Sequence, residues 1–390
     1  MTMPKAAQVF PRSEFLRRLA AVKTEMEQKD IDVLVITNIA NITYLTGYTA
    51  KTGKDVQALL VSLKDEEPTF ITRRQDAPGG RHLMFVDPSR VIGYPEDLVA
   101  NPDPHKDEWD AVIELLLDGG FGRSEIGIEL KILTCPVVEK FTRRMPDARF
   151  KNFDRINWIR GVKSDLEIAV MREAAAISDA AMIRAKEVIR PGVTEASAAA
   201  EIISTLINGV DGKPGGDLAS FFLCASPRIS TPHIRWTEDV FRQGSQVNLE
   251  FAGVRHAYVT PLMRTISVGK PSDRLRRVHE AEIAGMEAAL AVVKPGSTCS
   301  DVATAFHHAL QKHGFEKESR CGYAIGIDWT EPTASLRRGD LTVLKPNMTF
   351  HLMLGNWIDD DFGYVISESF RVTEAGVETF STLRREIFEV

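Results

Sequence analysis

The sequence predicts an α/β chain (α+β in its layering) of two domains. The first is built on a mixed sheet, and the second on two facing αα-ββ halves. Three observations carry this. The 390 residues exceed one ordinary core, at roughly 150 residues per domain. Short apolar runs alternate with helical periodicity up to about residue 155, the pattern of a sheet with crossover helices. Beyond it, a long helix, a Pro-Gly turn, a Thr and a shorter helix follow one another twice, which reads as an internal duplication.

The elements follow in order. Ser13 is placed to cap a helix whose apolar face carries Phe15, Leu16, Leu19, Val22 and Met26. Residues 32–37, 58–62, 69–72 and 125–130 read as strands, and 109–117 as a helix. The domain boundary is set at 157/158. Residues 165–189 form a long amphipathic run with Leu166, Val170, Ile177, Ala181 and Val188 at helical spacing. Ser164 caps it, and Glu167 sits at the positive end of its dipole. It stops at Arg190-Pro191-Gly192, as a second helix over 275–293 stops at Lys294-Pro295-Gly296. The repeated match is short, and turn chemistry alone also produces it. As a duplication, it places a small-molecule cleft between the halves.

Composition narrows the function. With 44% hydrophobic and 26% charged residues the chain is globular. A net charge of −6 with no basic run excludes a nucleic-acid footprint. Cys135, Cys224, Cys299 and Cys321 lack metal-site spacing and read as reduced core thiols. No stretch reaches the ~18 apolar residues of a membrane helix, and the N-terminus has no apolar leader segment. The expectation is a cytoplasmic protein acting on a small molecule.

The run from Trp158 through Arg160, Lys163, Ser164 and Glu167 to Arg172 resembles the opening of the catalytic domain in the creatinase, prolidase and aminopeptidase P family. Tyr258, Arg264-Thr265, Val268-Gly269, Gly322-Tyr323, Pro346, Met348 and the stretch from Phe370 to Gly376 continue the match in order. Thr43 to Gly47 resembles a signature of the family's N-terminal domain. The resemblance implies a creatinase-type first domain and a pita-bread catalytic domain with pseudo-twofold halves. Metal-dependent members hold two ions with two Asp, one His and two Glu. The matching positions here are Glu250, Pro261, Ile325, Met353 and Ser367, with Glu368 one place from the last. Pro and Ile ligate nothing, and a thioether is too soft for Mn, Co or Mg. The expectation is no metal and no cofactor.

Pro232-His233, Glu250 to Gly253, His256, Pro261-Leu262, Ile325-Gly326, His351, Trp357 and Ile366 to Ser369 are similar to the metal-free ectoine hydrolase branch. That likeness implies metal-independent hydrolysis of a C–N bond in a small cyclic amidine, opening the ectoine ring to N-acetyl-diaminobutyrate. His233, Glu250 and Glu368 are the expected catalytic residues. His351, Tyr323, His256, Trp357 and Asp328 are expected around the substrate. Bland readings stand beside these: a capping or core histidine for His233, a surface strand carboxylate for Glu250, structural roles for the rest. Residues 49–54 and 326–332 depart from the branch, being polar and shorter respectively, which leaves other cyclic amidines or guanidino acids open. The family resemblance implies a homodimer, with the N-terminal loop near the neighbour's active site. The alternatives are a creatinase-like amidinohydrolase, a diverged Xaa-Pro peptidase and a catalytically dead pita-bread binding protein.

Overall fold

The computed structural model describes residues 4–50, 52 and 55–390. They form two compact units, Met1–Arg160 and Gly161–Val390.

The first unit runs α1 (Arg12–Glu27), β1 (Val33–Ile36), α2 (Ile39–Thr46), β2 (Ala58–Ser62), β3 (Thr69–Arg73), α3 (Ala77–Leu83), β4 (Val91–Tyr94), α4 (Glu108–Asp118), β5 (Glu125–Ile128), α5 (Cys135–Arg144), β6 (Arg149–Asn152) and α6 (Arg155–Gly161). Its six strands form one sheet in the order β4-β3-β2-β1-β5-β6. β1 pairs antiparallel with β2 and parallel with β5, so the sheet is mixed as the alternation predicts. Val33, Val35, Leu60, Ile71, Val112 and Ile126 form its core.

Three local expectations are corrected. Ser13 lies inside α1, whose N-cap is Pro11 with no side-chain cap. Phe15, Leu19, Val22 and Met26 are buried as expected, but Leu16 is only partly so. The strand expected to reach residue 130 ends at Ile128 because Glu129 turns its carboxylate onto the start of α2. It accepts from the Thr37 and Asn38 backbone N–H groups at 2.6 and 2.7 Å, satisfying donors that a helix leaves open. Of the polar segment 49–54, Lys51, Gly53 and Lys54 lie outside the described residues.

The second unit runs α7 (Asp165–Val188), α8 (Glu195–Asn208), β7 (Phe221–Ala225), β8 (Gln246–Arg255), β9 (Tyr258–Ser267), α9 (Asp273–Ala291), α10 (Cys299–Lys312), β10 (Gly322–Ala324), β11 (Ser335–Leu336), β12 (Thr349–Asp359), β13 (Phe362–Val372), β14 (Val377–Thr379) and β15 (Phe388–Glu389). Two helices precede strands twice, and the two turns match in detail. Gly192 and Gly296 both take the left-handed backbone, at φ 85° and 92°. Thr194 and Thr298 then cap α8 and α10 through their side chains. Ser164 and Glu167 form the expected capping box on α7. Leu166, placed on the apolar stripe from sequence, is instead 44% exposed.

The strands form two sheets, β15-β9-β8-β7 and β11-β10-β12-β13-β14. One face of the first packs on α7 and α8 through Ile177, Ile202, Leu223, Leu249, Leu262 and Ile266. One face of the second packs on α9 and α10 through Met286, Phe306, Phe350, Leu352, Ile366 and Phe370. α7 presses so closely on β8 that a Cβ at Gly253 would lie 2.2 Å from the Ala174 carbonyl oxygen. Ser178 Oγ seals that contact, accepting from the Gly253 N–H at 2.7 Å and donating to the Thr260 carbonyl at 2.6 Å. Strand alternation leaves the opposite faces for polar side chains. There Gln246, Asn248 and Thr265 stitch the sheets together, bonding to the Gly363 and Val365 carbonyls.

All four cysteines are free, and three are buried. Cys135 is the exception to the core reading, since it opens α5 at the surface. Among the described residues no helix is long and apolar enough to cross a membrane.

Candidate active site

Cross-strand register puts four of the five ligand positions implied by the resemblance, Glu250, Pro261, Met353 and Ser367, in two neighbouring rows on the helix-free faces. Glu250 pairs with Met263 across β8 and β9, and Met353 with Ser367 across β12 and β13. Ser367 Oγ accepts from the Met263 N–H at 2.7 Å, joining the pairs into one row. Two residues along each strand, about 7 Å away, Ala252 pairs with Pro261. Ser369 Oγ donates to the Pro261 carbonyl at 2.7 Å, Ser369 pairs with His351, and His351 with Tyr323.

This set does not fit a two-metal centre. One carboxylate, Glu250, remains. Pro261 and Ile325 offer no side-chain donor, Met353 offers a thioether, and the Ser367 hydroxyl is engaged by a backbone N–H. Hard divalent ions need several anionic oxygens. Among the described residues no three His, Cys, Asp or Glu side chains converge as a metal-holding group.

Glu250 lines a small pocket with Phe222, Cys224, Pro232, Met263 and Trp357. Asn248 shares its face but is committed, donating to the Gly363 carbonyl at 3.0 Å and accepting from Gln246 and Thr265, each at 3.0 Å. Among the described residues nothing donates a hydrogen bond to the Glu250 carboxylate. Burial alone raises its pKa to about 7, since a carboxylate out of water without a partner favours its neutral form. The result is a carboxyl poised between protonation states near neutrality, facing an apolar and aromatic cavity.

The other expected residues fall into three groups. Trp357 lines the cavity beside Glu250. Its ring lies over Gly363, where a Cβ would come within 2.6 Å of it. His233 is exposed on the loop between β7 and β8, its ring edge-on to Phe222 at 5.0 Å between centroids. It stands one ring away from the cavity rather than in its lining.

His351 and Tyr323 sit in the adjacent row. His351 is fully buried, and burial lowers its pKa to about 3, so it is neutral. Its Nδ1 lies 3.1 Å from the Tyr323 hydroxyl, which also accepts from Trp329 Nε1 at 2.8 Å. Nε2 of His351 has no partner among the described residues. Burial raises the Tyr323 hydroxyl pKa, and the Glu250 charge adds to it, which ties this trio electrostatically to the cavity.

Three residues sit elsewhere. Glu368 pairs with Leu352, so alternation turns it to the helix-packed face. There it binds Arg264 at 2.9 Å and Arg385 at 3.3 Å. Its expected place among the reacting groups is therefore corrected: Ser367, not Glu368, faces the cleft. His256 and Ala257 form the two-residue turn joining β8 to β9, with φ 46° and 69°, the left-handed pair that a tight hairpin requires. His256 lies six residues from Glu250, roughly 20 Å along the strand. Asp328 is half-buried in the loop after β10, and its carbonyl accepts from the Gly326 N–H at 3.1 Å.

Phe222, Cys224 and Met263 line the cavity but were not expected there. Each sits in an apolar run whose direction depends on pairing with β8, and only that register (Phe222 opposite Glu250, Cys224 opposite Asn248) reveals it.

Residues 169–374 match the model of metallopeptidase family M24, and residues 18–162 that of the creatinase/prolidase N-terminal domain. The chain is 59% identical over 389 residues to an uncharacterized hydrolase/peptidase, y4tL, of Sinorhizobium fredii, with 99% of each chain covered. It is 37% identical over 393 residues to an ectoine hydrolase of Halomonas elongata, covering 97% of this chain and 98% of the relative. The X-Pro aminopeptidase of Thermotoga maritima superposes with a TM-score of 0.82 at 21% identity, covering 95% of this chain and 99% of that one. The prolidase of Thermococcus sibiricus superposes at 0.83 and 19%, covering 96% and 99%. At such identities the structural likeness speaks for the fold alone.

Proposed function

The chain belongs to metallopeptidase family M24, with the creatinase/prolidase N-terminal domain, and from that premise we propose that it is a metal-independent hydrolase opening a small cyclic amidine of the ectoine type. The observation that carries this reading is Glu250. It is the one anionic side chain left at the family's ligand positions, and no described residue donates a hydrogen bond to it in its small, partly aromatic pocket.

The amidine carbon is the electrophile. Glu250 attacks it, or takes a proton from a water that does. A C–O bond forms and a ring C–N bond breaks. His233 delivers the proton to the departing nitrogen, a task suited to imidazole near neutrality. Where Glu250 has added directly, water then hydrolyses the resulting O-acyl imidate, releasing the acetamide and restoring the carboxylate. The balance is one water added per ring: the carbon ends as the acetamide carbonyl and the nitrogen as an amine. Trp357 supports the cationic amidine through its π face. His351, being neutral, acts as a hydrogen-bonding wall rather than a charge. A homodimer with an N-terminal loop near the neighbour's active site completes the proposal.

Parallel incubations of the protein with ectoine and with an Xaa-Pro dipeptide, read by NMR, test the substrate class. Ring opening of ectoine with the dipeptide intact is expected. Dipeptide cleavage with ectoine untouched overturns the reading.

A further inference from the structure

His233 is exposed, yet the loop carrying it is tied down at base and tip. At the base, Glu195 of α8, 1% exposed, clasps both sides. Its carboxylate binds Arg228 and accepts from the Thr237 N–H and hydroxyl at 2.7 and 3.0 Å. At the tip, Cys224 Sγ lies 3.4 Å from the Pro232 carbonyl oxygen and 3.6 Å from that of Ile234. Those carbonyls flank His233, and the single thiol proton is shared between them. Phe222, two residues earlier on the same face of β7, meets the His233 ring edge-on. The same two side chains line the cavity with Glu250, and Thr231 and Pro232 of the loop line it too.

We propose that Cys224 is the positioning residue for His233, its thiol fixing the backbone on both sides so that the imidazole is presented beside the Glu250 cavity. The proposal rests on His233 as the proton donor. Cys224 itself is no nucleophile here. It is 2% exposed, and burial followed by its hydrogen-bonding and charged surroundings leaves its pKa above the ordinary value, so the thiol keeps its proton and remains a donor. β7 then does two things at once: it lines the cavity through Phe222 and Cys224, and it holds the loop that carries the imidazole beside it.

The test is histidine side-chain NMR of the full chain, with the His233 resonance assigned by its disappearance in His233→Ala, alongside kcat on ectoine. Cys224→Ala is expected to shift and broaden the His233 resonance and to change its titration midpoint. It should also lower kcat about tenfold with KM within about twofold, the scale of one lost hydrogen bond. Cys224→Ser keeps a donor and restores most of both readouts, so a failure of the Ala variant to fold leaves the comparison intact. In the double variant with His233→Ala, the Cys224 effect disappears. An unchanged His233 resonance and titration in Cys224→Ala, or independent multiplying losses in the double variant, overturn the positioning role while leaving His233 in the mechanism. Full activity in His233→Ala removes His233 itself, and the positioning role with it.

Discussion

Glu250→Gln abolishes turnover, lowering kcat by roughly 10³–10⁴, while the fold is kept or strengthened. The amide has the same shape but neither attacks carbon nor accepts a proton from water. The stability half of the prediction follows from linkage. Burial lifts the folded pKa to about 7 from an ordinary 4.5. The neutral form is therefore favoured by folding, and that contribution is fully present below about pH 4.5 and lost as pH rises through about 7. Wild-type protein at pH 8 carries a buried charge to which no described residue donates, whereas the Gln variant does not. Thermal melts at pH 8 should place the Gln variant level with or above wild type, and the gap should close at pH 5. The same value sets the acid limb of kcat/KM, which rises with pH to a midpoint near 7 because the carboxylate is the reactive form. A folded Gln variant that keeps most of the wild-type kcat, or a profile with no limb in this range, removes Glu250 from the chemistry.

Arg264→Met costs stability rather than chemistry, by about 3–5 kcal/mol. Arg264 is 0% exposed and Glu368 1%, and the guanidinium also donates to the Met263 and Ser367 carbonyls at 2.9 and 2.6 Å. It thus ties β9 to β13, from the two different sheets. Removing it strands Glu368 with only the more distant, partly exposed Arg385. Burial already raises the Glu368 pKa against the pull of both arginines, so losing Arg264 drives the carboxyl to its neutral form. The expected fall in melting temperature is about 6–20 °C, at ~2–4 °C per kcal/mol for a unit of this size. Glu368→Gln should likewise lower stability while keeping kcat within a few-fold at permissive temperature. A kcat collapse in a folded Glu368→Gln protein would return Glu368 to the mechanism. Replacing both partners with apolar residues recovers only part of the loss, because the carbonyls that Arg264 served stay unsatisfied.

Local chemistry made much of the fold readable. The Ser164–Glu167 capping box and the two Pro-Gly-x-Thr turns need only neighbours in sequence, and each is found where the sequence places it. What fails is what depends on a partner element. Leu166 fits the stripe by spacing but lies in the first turn, where it is left exposed. The strand at 125–128 stops early because Glu129 is needed by a helix whose start is ninety residues away in sequence. The site shows the same division. Alternation within β8 places Asn248 and Glu250 on one face. The choice between Ser367 and Glu368 is a one-residue register, and only the pairing of β12 with β13 decides it. Phe222 and Cys224 look like core residues until β7 is paired, and His256 looks like a substrate contact until it is seen at a hairpin tip.

The most direct measurement is proton NMR of ectoine incubated with protein stripped by chelator, its metal content checked by elemental analysis. The account predicts ring-opened N-acetyl-diaminobutyrate at the same rate as before stripping, unchanged by added manganese, cobalt or zinc. No conversion until one of those ions is restored, or no conversion by folded protein under any of these conditions, would contradict it.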